Sequence, residues 1–217
     1  IGRGEVHIVI GENGAGKSTL CKIIMGIYSR TTGSMKFEGR DYDPHSVNDA
    51  QEAGINMIHQ ELNLLQNRTV AQNIYIGREP LTKLKTIDSK KMNRDCAALL
   101  ARLELDHIQP ETIVSALSIA QQQMVEVAKA LSRNSKLLIM DEPTSSLTEK
   151  EIQVLFKLTR KLVSEGVSVV YISHRMPELK EIGDIVTVMR DGGYIGTYDL
   201  HTMELDELIR LMVGRQI

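Results

Sequence analysis

GENGAGKST, residues 11–19, has the residue types and spacing to hold a chain of phosphates. Gly11, Gly14 and Gly16 let the backbone wrap so that successive N–H groups point inward, with Glu12, Asn13 and Ala15 between them. Lys17 reaches the β- and γ-phosphates, the Ser18 hydroxyl ligates Mg²⁺, and Thr19 continues into a helix. The pattern counts only between a strand and a helix. Both flanks fit: EVHIVI reads as a buried strand, and Leu20, Ile23, Ile24 and Ile27 keep helical spacing. A glycine-rich turn with a chance lysine is the rival reading, and these flanks decide against it. Lys17 is expected to be exposed, serving phosphate rather than core.

KLLIMDEP supplies a second piece of chemistry. An apolar strand ending in a carboxylate delivers Asp141 to the magnesium shell. Glu142 follows at once and is placed to orient and deprotonate an attacking water. By position alone, Glu142 is equally well explained as a solvated strand end.

ALSIAQQQMVEVAKAL, residues 116–131, opens with Ser118 and Gln121 at the capping-box spacing. Met124, Val127, Ala128 and Leu131 then form one apolar stripe. The small residues and glutamines at this helix start either cap it or offer its N–H groups to a phosphate.

The remaining elements must position these groups. GSMKFEGRDY reads as a short hairpin and INMIHQ as a strand. From about Thr69 to Leu103 the pattern is helical: Thr69 and Gln72 form a second capping box, and Met92, Cys96, Leu99, Leu100 and Leu103 share one face. KLLIMDE and VSVVYIS are buried strands flanking a helix around Ile152, Leu155, Phe156 and Leu162. IVTVMRDGGYIGTY carries a D-G hairpin turn, and a closing helix with Leu205, Leu208, Ile209 and Met212 ends at Gly214. Strands alternating with helices around a helix-only middle predict an α/β core with a parallel sheet and an inserted helical subdomain.

With 217 residues the chain can build one domain with a smaller subdomain. A net charge of −2 leaves no basic footprint, so nucleic acid is not an expected partner. Cys21 and Cys96 fall inside helical patterns and form neither a disulfide framework nor a metal pair, which suits a reducing cytosol. No run reaches the roughly 18 apolar residues of a membrane helix. Ile1, rather than Met, leads almost directly into a core strand, so a piece of a longer chain is expected.

GENGAGKST, HQELNLL, LSIAQQQ, LLIMDEPTSSLT and YISHR occur in an order that resembles the nucleotide-binding domain of ABC transporters. HQEL, LSIAQQQMVEVAKAL and the closing MVGRQ are similar to the first of two fused ATPase domains in bacterial sugar importers of the ribose/galactose type. The resemblance spans essentially the whole chain. It implies a single P-loop ATPase domain over 1–217, truncated at its N-terminus, with a short antiparallel β part and a helical subdomain near 63–135.

It also implies roles. Gln60 would touch Mg²⁺ and the attacking water while linking to the membrane subunits. His174 would read the γ-phosphate and support Glu142; a lone histidine after a strand is otherwise structural. Ser118, Ile119, Ala120 and Gln121 would contact ATP held by an opposite domain. Ser18, Gln60 and Asp141 would surround the metal. The implied function is MgATP hydrolysis powering sugar import at the cytoplasmic face of the bacterial inner membrane. The implied partners are a second ATPase domain, permease subunits and, indirectly, a sugar-binding protein. The rivals are a soluble ABC ATPase, whose long coiled-coil insertion is absent here, and a nucleotide-sensing module, against which Glu142 and His174 argue.

The chain departs from the family pattern at three places. Ile119 and Ala120 replace both glycines of L-S-G-G-Q, so any position there needing positive φ would be strained. Thr148 stands where a carboxylate usually couples the two sites. The aromatic residue that stacks on adenine would lie upstream of the cradle, and Tyr28 is on the wrong side.

Overall fold

Uniformly apolar runs become the inner strands of one sheet, because parallel strands are covered on both faces. The computed structural model describes residues 1–214; Arg215 and Gln216 of MVGRQ lie outside them. The elements are β1 (Val6–Ile10), α1 (Lys17–Ile24), β2 (Lys36–Phe37), β3 (Arg40–Asp41), α2 (Val47–Ala53), β4 (Ile55–Ile58), α3 (Val70–Tyr75), α4 (Ser89–Arg102), α5 (Ile119–Leu131), β5 (Leu137–Asp141), α6 (Glu149–Ser164), β6 (Ser168–Ile172), α7 (Met176–Ile182), β7 (Ile185–Arg190), β8 (Gly193–Asp199) and α8 (Leu205–Val213). They fall into two units: 1–57, 135–142 and the stretch from 159 onward make the first; 58–134 and 143–158 make the second.

The first unit carries the sheet, ordered β4-β5-β6-β1-β7-β8. β1 pairs in parallel with β6 and β7, and β5 with β6. The β7–β8 pair at one edge is antiparallel. There Asp191 and Gly192 both take positive φ, 53° and 77°, as a two-residue hairpin loop requires. The short β2–β3 hairpin forms a separate sheet.

Register sorts the core into two faces. Val9, Leu137, Ile139, Val170 and Ile172 pack with Cys21 and Met25 of α1 and Ala50 of α2. Alternate positions, Ile8, Leu138, Met140, Val169 and Tyr171, are buried on the opposite face. Each aliphatic side chain taken from water there contributes about 1.5–3 kcal/mol. Burial raises the Cys21 thiol to about 12, with the Asp141 charge adding to the effect, so Cys21 acts as an apolar core residue.

The second unit is mainly helical. Both capping boxes form: Thr69 with Gln72 opens α3, and Ser118 with Gln121 opens α5. The predicted helical stretch from Thr69 to Leu103 is broken, however. Gly77 takes φ 72°, Pro80 disfavours helix at the residue before it, and a bridge pairs Leu81 with Ile87. Asp88 then restarts the chain as the N-cap of α4, accepting from the Lys91 N–H.

Candidate functional site

Parallel pairing brings three strand ends together. Val9 and Asp141 each pair with Ile172, so β1, β6 and β5 finish in one row at their carboxyl ends. β1 and β5 flank β6, about 10 Å apart by strand spacing. The chain leaves β1 to return at β4 on one edge, whereas β6 leads to β7 on the other side of β1. A crevice between such diverging connections is where open α/β sheets bind ligands.

The glycine-rich turn sits at the end of β1. A Cβ on Gly11 would lie 2.3 Å from the Met189 carbonyl oxygen, so the backbone passes too close for any side chain. Gly16 takes φ 95° and is the N-cap of α1 without a side chain to cap it, which leaves the helix start to an outside acceptor. Lys17 differs from expectation. It is only 8% exposed, and its Nζ donates to the Gly11 and Glu12 carbonyls at 2.8 and 3.1 Å. The turn folds over its own lysine. Ser18 and Thr19 are exposed in the first turn of α1. Gly11→Ala should therefore disrupt the turn, lowering the melting temperature and abolishing calorimetric MgATP binding; unchanged values of both would contradict the close approach.

At the end of β5, Glu142 is held in the left-handed region at φ 47°. A non-glycine residue there costs of order 1–3 kcal/mol, and such strain concentrates at functional sites. Its N–H donates to the Ile172 carbonyl at 3.0 Å. Its Oε1 lies 3.1 Å from Nδ1 of His174, just beyond β6. The His174 side chain is 61% exposed, against 20% for Glu142. The arrangement is an accessible imidazole aligned by a more sheltered carboxylate, suited to moving a proton at the sheet edge.

Gln60 and the Ser118 helix belong to the second unit, so each is described there. Gln60 is exposed in the segment after β4. That segment is tied to α5: Asn63 N–H donates to Glu126 at 2.9 Å, Lys129 Nζ to the Asn63 carbonyl at 3.1 Å, and Gln66 Nε2 to Gln122 at 3.1 Å. Ser118 Oγ accepts from Gln121 N–H at 3.3 Å, while Gln121 Oε1 accepts from Ser118 N–H at 3.0 Å. Ile119 and Ala120 open α5 and are not among the residues with positive φ, so the loss of both glycines strains nothing. Thr148 donates through its N–H and its hydroxyl to Glu151, each at 2.8 Å. Those bonds hold the half-buried Glu151 carboxyl below its usual range. Sequence reasoning missed the conformation of Glu142 and the buried Glu178 below His174; an acidic residue on the apolar face of a short helix was the signal for the latter.

A family model described as ABC transporter matches residues 1–145, and the chain belongs to that family. Its fold matches an ATP-binding cassette of an ABC transporter in the ADP conformation: TM-score 0.83, 25% identity, 98% of this chain and 89% of that one. A nucleotide-free cassette matches with TM-score 0.82 and 27% identity, over 99% of this chain and 86% of that one. The fold is thus a P-loop ABC ATPase fold with one small antiparallel sheet. Among curated proteins, the galactose/methyl galactoside import ATP-binding protein MglA of Salmonella typhimurium is 49% identical over 98% of this chain. MglA 1 of Photobacterium profundum is 49% identical over 99% of it. The chain spans 42% and 43% of the lengths of these two relatives.

Proposed function

We propose that this chain is an ATP-binding and ATP-hydrolysing domain that energises import of a sugar through an ABC transporter. The observation that carries the reading is the meeting of the glycine turn, Asp141 and the Glu142–His174 pair at one end of the sheet. The galactoside-import relatives support the transported class.

In this reading Gly11–Thr19 wraps the phosphates with backbone N–H groups, and Lys17 exchanges two carbonyl partners for phosphate oxygens. Ser18 and Asp141 offer hard oxygen donors of the kind Mg²⁺ takes, few in number because phosphates and water complete its shell. The ion, when bound, neutralises charge developing between the β- and γ-phosphates. Glu142 takes the proton from an attacking water lined up with the γ-phosphorus. His174 fixes the Glu142 carboxylate through Nδ1 and turns its other edge to the γ-phosphate. Gln60 links the domain to the permease.

Ser118, Ile119, Ala120 and Gln121 complete the site of a second ATPase domain arranged head to tail, which returns the same service. Transmembrane permease subunits and, through them, a sugar-binding protein are the other partners. The domain would sit peripherally at the cytoplasmic face of the bacterial inner membrane; no helix among the described residues is long and apolar enough to cross one.

Ser118→Asp separates capping from this trans role. Aspartate caps about as well as serine, so melting temperature and cis MgATP affinity should hold. Against a γ-phosphate near 4 Å the added charge costs about 4 kcal/mol at an effective dielectric near 20. Phosphate release in the assembled transporter should therefore stop at the site served by the mutated helix. Retained hydrolysis there would leave Ser118 as a cap alone.

A further inference from the structure

Beneath the exposed His174 lies a carboxylate that the mechanism above does not use. Glu178, in α7, is 4% exposed. Its Oε2 accepts from the Tyr171 hydroxyl at 2.9 Å and from Ser173 Oγ at 3.0 Å. Its Oε1 accepts from Arg175 Nη1 at 2.9 Å. Ser173 Oγ in turn accepts from the Arg175 N–H at 3.0 Å, and Glu178 N–H donates to the Arg175 carbonyl, also at 3.0 Å. A carboxylate is taken out of water at this depth only when hydrogen-bonded and paired with a cation, and here it has both.

These bonds fall on the two residues that flank His174. Ser173 and Arg175 are tied to one carboxylate and to each other, and Tyr171 anchors that carboxylate to β6. The backbone carrying the imidazole is thereby fixed, while among the described residues the ring itself bonds to Glu142 alone, at 3.1 Å. An exposed side chain that must stay within hydrogen-bond reach of a strained partner needs such a support, because its own rotamers are not confined by packing.

We infer that Glu178 is a positioning residue for hydrolysis: it clamps residues 173–175 so that His174 Nδ1 stays aligned on Glu142. The inference rests on the proposed role of His174. Gln in place of Glu178 removes the charge that pairs with Arg175, and with its oxygen on the arginine it meets the Tyr171 and Ser173 hydroxyls with an NH₂, so both hydroxyls must turn from donating to accepting and the clamp is weakened.

The test is a cycle of His174→Ala, Glu178→Gln and the double variant in the full-length protein in its transporter, read by phosphate release, MgATP KM and melting temperature. Glu178→Gln is expected to lower kcat about tenfold with KM unchanged within about twofold, the signature of a misaligned reacting group. The double variant should be no slower than His174→Ala, because the two residues act as one unit. Ser173→Ala, which removes one link of the clamp, should lose part of the same kcat; it decides the matter by the same comparison if Glu178→Gln does not fold. Wild-type kcat in Glu178→Gln beside a slow His174→Ala would overturn the clamp alone, as would losses that multiply in the double variant. Wild-type kcat in His174→Ala would overturn the role of His174 and the clamp together.

Discussion

Glu142→Gln should bind MgATP with wild-type affinity and release phosphate about 10²–10⁴-fold more slowly, the range a positioned general base contributes. The amide fills the space of the carboxylate and keeps a hydrogen-bonding atom within reach of His174 Nδ1, but it takes no proton from water near neutral pH. The backbone argues that the residue is placed for this task. Glu142 is held at φ 47° by its N–H bond to the Ile172 carbonyl, so the chain bends out of β5 at the point where the side chain meets His174. Steady-state phosphate release and calorimetry on the same preparation measure the two quantities. Wild-type turnover would make Glu142 a strand-end residue with a strained backbone and no chemical role.

Lys17→Ala should weaken MgATP binding by at least about a hundredfold. Lys17 exchanges bonds to two neutral carbonyls for bonds to charged phosphate oxygens, and the charge pair gained, about 4 kcal/mol near 4 Å at an effective dielectric near 20, exceeds the roughly 2.7 kcal/mol that corresponds to two decades in Kd. Lys17 is buried against the Gly11 and Glu12 carbonyls, so its loss also removes bonds internal to the turn. Those carbonyls lie beside exposed Glu12 and Asn13, where water can replace the lysine, and the melting temperature should fall by only a few degrees. Calorimetry checks the affinity and thermal unfolding the stability. Equal affinity in the variant would remove the phosphate assignment from GENGAGKST.

Much of this fold is legible in the sequence because its signals are local. Period-two and unbroken apolar runs mark β1, β5 and β6, the D-G pair marks the β7–β8 turn, and Thr69 and Ser118 announce their helices by a partner three residues on. What escapes is set by tertiary context. The pattern of residues 69–103 has helical spacing on both sides of Gly77 and Pro80, so periodicity alone joins α3 to α4 across a segment that is not helical. Lys17 reads as exposed because a phosphate ligand must reach solvent, yet the turn supplies two carbonyls that fold it inward. Ile119 and Ala120 read as departures, but the first turn of a helix asks nothing of glycine.

The site divides along the same line. GENGAGKST and LLIMDE name their residues by spacing within a few positions. The approach of His174 to Glu142 depends on β5 and β6 pairing in register 31 residues apart, Asp141 with Ile172, which no local pattern encodes. The place of Glu178 on the apolar face of α7 signals its burial, but its partners do not show: Tyr171, Ser173 and Arg175 are gathered around one carboxylate only by the turn into α7.

The nucleotide retained by the assembled transporter after a pulse of α-labelled ATP tests the central claim most directly. Wild-type protein, stopped and separated from free nucleotide, should hold mainly ADP, and Glu142→Gln should hold intact ATP at the same stoichiometry. Retention of ADP by Glu142→Gln at the wild-type rate would contradict hydrolysis driven by Glu142 at this sheet edge, and retention of no nucleotide by the wild type would contradict the cradle itself.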